Sequence, residues 1–265
     1  MKISIILNDY PKSYEVAELL TVKLMEAGFI IDDQRPDIVI SIGGDGTMLR
    51  AFHNWQHLLD EVRFIGVHTG HLGFYTDWRD YEINELVQSL QADQGDDISY
   101  PLLEVTITKQ NQQQERFLAL NESTVRQINK TMVANVWIQK QKFECFRGDG
   151  LSIATPTGST GYNRSVGGAV MSPYINTLQM TEIASLNSRG YRTLGAPVII
   201  GANDEIVLEI KDDSDHIITI DQKNLILNDV QTIKYKVAKQ RIKFAKYRHM
   251  NFWERVKEAF IEDET

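Results

Sequence analysis

The chain opens by alternating short apolar runs with longer amphipathic ones. Residues 3–7 (ISIIL) are apolar enough for a strand. Val16, Leu19, Leu20, Val22, Leu24 and Met25 then recur at helical spacing and stop at Gly28. Residues 38–42 (IVISI) form a second apolar run, β-branched at each apolar position and suited to a buried parallel strand. This run ends abruptly in Gly43-Gly44-Asp45-Gly46-Thr47. Met48, Leu49, Ala51 and Phe52 then give a helical pattern. Residues 62–67 make a third apolar run, ending in HTGHLGFY (68–75), and residues 81–90 read as a helix. Up to about residue 97 the rhythm predicts an α/β N-terminal domain with a parallel sheet.

The period changes near Pro101. Leu103, Val105 and Ile107 alternate with Glu104, Thr106 and Thr108. Further strands are expected at 117–125, 133–139, 142–146, 151–154, 198–200, 206–210, 217–220, 233–237 and 242–245. Helices are expected at 162–170, 178–186 and 252–260, the last followed by an acidic tail, EDET. Short strands between turns predict a mainly antiparallel, β-sandwich-like C-terminal domain with a C-terminal helix after it. The expected division is 1–100 for the α/β domain, 101–250 for the β-rich domain and 251–265 for the helix and tail.

Composition narrows the class. The 265 residues suffice for two domains, and 42% hydrophobic with 24% charged residues is an ordinary globular balance. A formal net charge of −8 argues against nucleic acid or an anionic membrane as partner, while leaving room for a local basic pocket. No apolar run reaches the length needed to span a bilayer, and the start lacks a signal-peptide pattern, so a cytoplasmic protein is expected. The single cysteine, Cys145, fits a reducing compartment. With Phe143 and Phe146 beside it, Cys145 reads as strand packing and not as a nucleophile.

Asp45 is the informative residue of the first glycine turn. Three glycines let the main chain approach a phosphate closely, and the start of a helix favours anions. A carboxylate repels phosphate, so its presence points to chemistry: accepting a proton from a hydroxyl, or holding a metal ion beside a phosphate. The competing reading is a helix cap. Residues 155–161, TPTGSTG, form a second, hydroxyl-rich stretch suited to a sugar-phosphate ligand, or to capping the next helix. Asn121-Glu122 can grip the hydroxyls and ring nitrogens of a nucleoside, and Arg147 and Asp149 flank a glycine nearby. His68 and His71 lack the spacing of a metal site.

GGDGT at 43–47, Asn121-Glu122 and TPTGSTGYNRSVGG at 155–168 together closely resemble the NAD kinase family, most strongly its short bacterial form. HTGHLGFYTDW, LALNE and FRGDG extend the resemblance over nearly the whole chain. GGDGT alone also suits lipid kinases and phosphofructokinases; the long hydroxyl-rich stretch supplies the specificity. The resemblance implies transfer of a phosphoryl group from ATP, or from inorganic polyphosphate, to the adenosine ribose 2′-hydroxyl of NAD, giving NADP. It implies a divalent metal ion, with Mg2+ expected, and no dedicated metal ligands among the site residues. It also implies a homo-oligomer, dimer or tetramer, in which a neighbouring subunit helps complete each NAD site. Carried onto this sequence, Asp45 is the catalytic base, and Gly43, Gly44, Gly46 and Thr47 contact the donor phosphates. Asp45, Gly46, Phe74, Asn121, Glu122, Arg147, Asp149, Thr160, Gly161, Tyr162, Asn163, Ser165, Ala184 and Gln222 contact NAD. The chain departs from the family at Gly161, where alanine is commoner. It departs again at Asp221-Gln222-Lys223, where Asp-Gly-Gln or Asp-His is usual.

Overall fold

The computed structural model describes residues 1–70, 72–127, 129–190, 192–211, 214–248 and 251–261; His71 and the acidic tail at 262–265 lie outside the described residues. In chain order the first elements are β1 (Lys2–Leu7), α1 (Pro11–Glu26), β2 (Ile30–Ile31), β3 (Ile38–Ile42), α2 (Asp45–Trp55), β4 (Arg63–His68), β5 (Trp78–Arg79) and α3 (Ile83–Gln91). Then follow β6 (Asp97–Lys109), β7 (Gln114–Ala119), β8 (Glu122–Gln127), β9 (Met132–Ile138), β10 (Gln141–Gly148), β11 (Gly150–Ala154), α4 (Tyr162–Ser165) and β12 (Thr177–Ile183). The last are β13 (Val198–Gly201), β14 (Glu205–Ile210), β15 (His216–Ile220), β16 (Lys223–Leu227), β17 (Val230–Ala245) and α5 (Phe252–Phe260). Two compact units result: Met1–Ser99 with Arg241–Thr265, and Tyr100–Gln240. No helix among the described residues is long and apolar enough to cross a membrane.

The first unit is a parallel α/β sheet in the order β2-β1-β3-β4-β5, joined on β4 by the end of β17, where Phe244 lies beside Phe64. All five residues of β3 are buried, which is why its sequence, apolar but for Ser41, shows no alternation. Helix α1 begins with Pro11 and buries Val16, Leu20 and Leu24 on the sheet, each contributing about 1.5–3 kcal/mol. Its stop is Gly28, at φ +84°. The chain leaves β1 for β2 on one side and continues through β3 on the other. The strand order therefore reverses at β1 and β3, the position where open α/β sheets hold ligands at the carboxyl ends of their strands.

The second unit packs two sheets. One has the order β13-β12-β11-β8-β15-β16, antiparallel throughout; the other runs β10-β9-β14-β17, with β6 and β7 beyond. Their inner faces share one core, including Val125, Ile153, Leu178, Leu208, Ile218 and the fully buried Phe146 and Tyr235.

Several sequence expectations change. Residues 178–186 are not a helix. Residues 178–183 fall in β12 and 184–186 follow it without regular structure; the strand's central place between β11 and β13 buries polar Gln179 and Thr181 as well as Leu178 and Met180, so no alternation survives. The run 117–125 is broken into β7 and β8. The carboxylate of Asp221 accepts hydrogen bonds from the amides of Leu120, Asn121 and Glu122 there, at 2.9, 2.7 and 3.2 Å, in place of a strand partner. The helix expected at 162–170 is a single turn, followed by Gly167 at φ +91°. The two strands expected at 233–237 and 242–245 are one, β17. Strand β16, half polar, carries no period-two signal and was not expected; it forms a hairpin with β15.

Candidate active site

In the first unit, β3 turns into α2 through the glycine run. The Gly43 amide donates to the Val67 carbonyl at 2.8 Å, tying the turn to β4. At φ +144°, with Thr47 Oγ1 only 2.4 Å from where a Cβ would sit, position 43 accepts glycine alone. Gly44 and Gly46 are exposed, whereas Thr47 is buried. Of the four residues expected at donor phosphates, Gly44 and Gly46 are therefore the open ones. They stand where a helix start leaves amides without intrahelical partners.

Asp45 does not cap α2: the residue preceding the helix is Gly44, and no side-chain cap bond forms. Its carboxylate crosses to the loop after β4. Oδ2 accepts from the Phe74 amide at 2.9 Å and Oδ1 from the Tyr75 amide at 3.0 Å. Gly73 makes this approach possible, since a Cβ there would lie 2.2 Å from Asp45 Oδ1. Each oxygen keeps a second lone pair. The carboxylate is thus oriented by the main chain and still able to accept a proton or bind a cation. The Phe74 ring packs on Phe252 and Phe260 of α5, with centroids 6.0 and 5.8 Å away. His68 is buried, with Nδ1 2.9 Å from the Gly70 carbonyl.

In the second unit, most hydroxyls of the 155–161 stretch fold the loop itself. Thr155 Oγ1 and Thr157 Oγ1 donate to the Leu120 carbonyl at 2.6 and 3.1 Å. Ser159 Oγ donates to the Pro156 carbonyl and accepts from the Met171 amide. Thr160 Oγ1 donates to the Thr157 carbonyl at 3.2 Å. A Cβ on Gly158 would lie 2.0 Å from the Asn121 carbonyl oxygen, so the loop lies flat on that strand end. Asn163 is fully buried; its amide donates to the Ser159 carbonyl and accepts from Thr181 Oγ1 at 2.8 Å. Tyr162 is half-buried, while Gly161 and Ser165 are exposed.

Glu122, Tyr162 and Asp221 line a pocket of about 490 Å³, together with Thr124, Arg126 and Thr219 from the face of β8 and β15. That volume lies in the range of small-molecule sites. Burial, then the neighbouring charge of Asp221, pushes the Glu122 carboxyl up to about 8. At neutral pH it is therefore an uncharged acid, able to donate as well as accept. Among the described residues its Oε2 is buried without a hydrogen-bond partner. An alanine Cβ at Gly161 would stand 3.3 Å from that oxygen, a tight contact. Gln222 is exposed, on the turn after Asp221, whose φ is +50°.

The expected NAD contacts of the second unit fall into two groups. At one end of β11, Ala154 pairs with Glu122, beside the loop carrying Thr160 to Ser165. At the other end, Gly150 pairs with Ile183, next to Arg147, Asp149 and Ala184. The Asp149 amide donates to the Ile183 carbonyl at 2.9 Å, and Ala184 turns out of β12 at φ +47°. The two groups are separated by the length of β11, about 13 Å at 3.3 Å per residue. Sequence reasoning missed Asp221 as the clamp of residues 120–122; the available signal was an aspartate directly after the apolar run 217–220. It also missed the Tyr75 amide as an anchor of Asp45. Among the described residues no group of three or more His, Cys, Asp or Glu side chains could hold a metal ion.

Comparison with known proteins fits this arrangement. The family described as ATP-NAD kinase N-terminal domain matches residues 12–95, and ATP-NAD kinase C-terminal domain matches residues 120–247. The chain is 52% identical to the NAD kinase of Enterococcus faecalis over 262 residues, covering 98% of this chain and 99% of the relative. It is also 52% identical to the NAD kinase of Latilactobacillus sakei, covering 98% of each. Yeast NADH kinase complexed with NADH has the same fold, at TM-score 0.85 and 20% identity, over 100% of this chain and 89% of that one. So does an NAD kinase from Archaeoglobus fulgidus in complex with ATP, at TM-score 0.72 and 22% identity, over 94% of each.

Proposed function

The chain belongs to the NAD kinase family and is a kinase of NAD, and from that premise we propose the reaction in atomic terms. ATP, or inorganic polyphosphate, gives up its terminal phosphoryl group to the adenosine ribose 2′-hydroxyl of NAD, with Asp45 taking the hydroxyl proton. The observation that carries this reading is the docking of the Asp45 carboxylate on the amides of Phe74 and Tyr75, beside an open glycine turn. A base held in one orientation meets its proton without first being ordered, and general-base catalysis contributes typically about 10²- to 10⁴-fold. Gly44 and Gly46 receive donor phosphates through their main chain. The ATP complex of the Archaeoglobus fulgidus relative favours ATP as donor.

A divalent ion, Mg2+ foremost, fits as a companion of the triphosphate. Such an ion is held largely by phosphate oxygens and water with one or two carboxylates, which requires no closed set of protein ligands. Donor phosphate oxygens and water would carry the ion, which leaves the Asp45 carboxylate free to take the proton. When bound, the ion neutralises charge developing on the transferred phosphoryl group.

On the NAD side, neutral Glu122 and Asn121 suit the adenosine, offering a donor and acceptors on adjacent residues, and Tyr162 supplies a ring face beside the pocket. Arg147, Asp149 and Ala184, about 13 Å away along β11, reach a dinucleotide most simply as contributions from a neighbouring subunit. A homodimer or homotetramer provides that arrangement. The test is direct: purified protein, NAD, Mg2+ and either donor, with product scored by a dehydrogenase that accepts only the 2′-phosphate. NADP from ATP or polyphosphate supports the proposal; no NADP from either donor overturns it.

A further inference from the structure

Arg255 lies on α5 and is only 4% exposed. Its guanidinium is committed to the loop that holds Asp45. Nη1 donates to the Gly73 and Thr76 carbonyls, the latter at 2.9 Å, and Nη2 pairs with the Asp77 carboxylate. These acceptors bracket Phe74 and Tyr75, whose amides carry the Asp45 carboxylate. Thr76 Oγ1 accepts from the Gly73 amide at 3.1 Å, and the Phe74 ring rests on two phenylalanines of the same helix. The turn is braced from one side by α5 and presents its amides to the carboxylate.

We infer that Arg255 is a positioning residue for phosphoryl transfer: it fixes the 73–77 turn, and the turn fixes the base. This rests on the proposed role of Asp45. Packing alone does not explain the residue, because burying a charge costs free energy unless it is paired and hydrogen-bonded, and an apolar side chain would avoid that cost. A planar fork can hold two carbonyls and a carboxylate at once, where a lysine offers one nitrogen. A displacement of about 1 Å in a catalytic group costs up to ~100-fold in rate.

The test uses the full-length chain with saturating NAD and Mg-ATP. Arg255→Lys keeps the charge opposite Asp77 but loses the fork. Expected are a cooperative melt, kcat lowered about 10- to 100-fold, and KM for both substrates within about three-fold of the parent. In an Asp45→Asn background the same change leaves the residual rate unaltered, because the effect runs through Asp45. If Arg255→Lys does not fold, Arg255→Gln, which can still donate to one carbonyl, is judged by the same criteria. A folded variant with kcat within three-fold of the parent overturns the inference. So does an equal loss with and without the Asp45 carboxylate. Failure of the base assignment itself is separate: it appears as parental kcat in Asp45→Asn alone.

Discussion

Replacing Glu122 by glutamine keeps the size of the side chain and removes one titration. The parental carboxyl sits at about 8, against an ordinary 4.5, through burial first and the Asp221 charge second. Its folded-state value is raised, so the folded protein holds the proton more tightly than the unfolded chain. The associated stability is fully present below pH 4.5 and is lost as pH rises through 8. At about 1.4 kcal/mol per pH unit, the loss amounts to about 3 kcal/mol by pH 7. The neutral glutamine escapes it. With roughly 2–4 °C of melting temperature per kcal/mol for chains of this size, Glu122→Gln should melt roughly 6–12 °C above the parent at pH 7. The gap should be small at pH 5, widen to pH 8 and level off above. The assay is ligand-free thermal unfolding of both proteins in buffers from pH 5 to 9. A gap that stays constant across that range refutes the reasoning, because a packing difference does not titrate.

Three further outcomes follow from geometry. Gly73→Ala places a methyl group 2.2 Å from Asp45 Oδ1, so steady-state kinetics should show kcat down by at least about ten-fold with little change in melting temperature. Gly158→Ala drives a Cβ into the Asn121 carbonyl, whose backbone cannot yield cheaply. Denaturant unfolding should register a loss of about 1–3 kcal/mol or more. Asp221→Asn leaves the amides of residues 120–122 short of acceptors, costing about 1–3 kcal/mol, and calorimetry should find weaker NAD binding.

The α/β half was legible because its periodicities are local: β3 is apolar at every buried position but Ser41, and α1 repeats its apolar face every turn. The glycine turn was legible for the same reason, since a carboxylate among three glycines has few structural uses. How the carboxylate is held was not. A helix cap competes with a chemical role for Asp45 in the sequence, and only the fold brings Phe74 and Tyr75, about 30 residues on, against its carboxylate. The second half was harder because central strands such as β12 are buried on both faces and lose their alternation. The hydroxyl-rich stretch looked like a ligand cradle, yet Thr155, Thr157 and Ser159 spend their hydroxyls on the chain itself. The buried Asn163 does the same with its amide. Asp221 and Arg255 were invisible for one physical reason: each acts on residues about 100 or more positions away, through backbone groups that carry no sequence signature.

The most direct test of the central claim is the single-turnover rate of Asp45→Asn with NAD, Mg2+ and the donor that supports turnover in the parent. Asparagine keeps the shape of the side chain but accepts no proton. The rate of NADP formation should fall by about 10²-fold or more, with NAD affinity by calorimetry within a few-fold of the parent. A rate within three-fold of the parent would show that the 2′-hydroxyl proton leaves by another route.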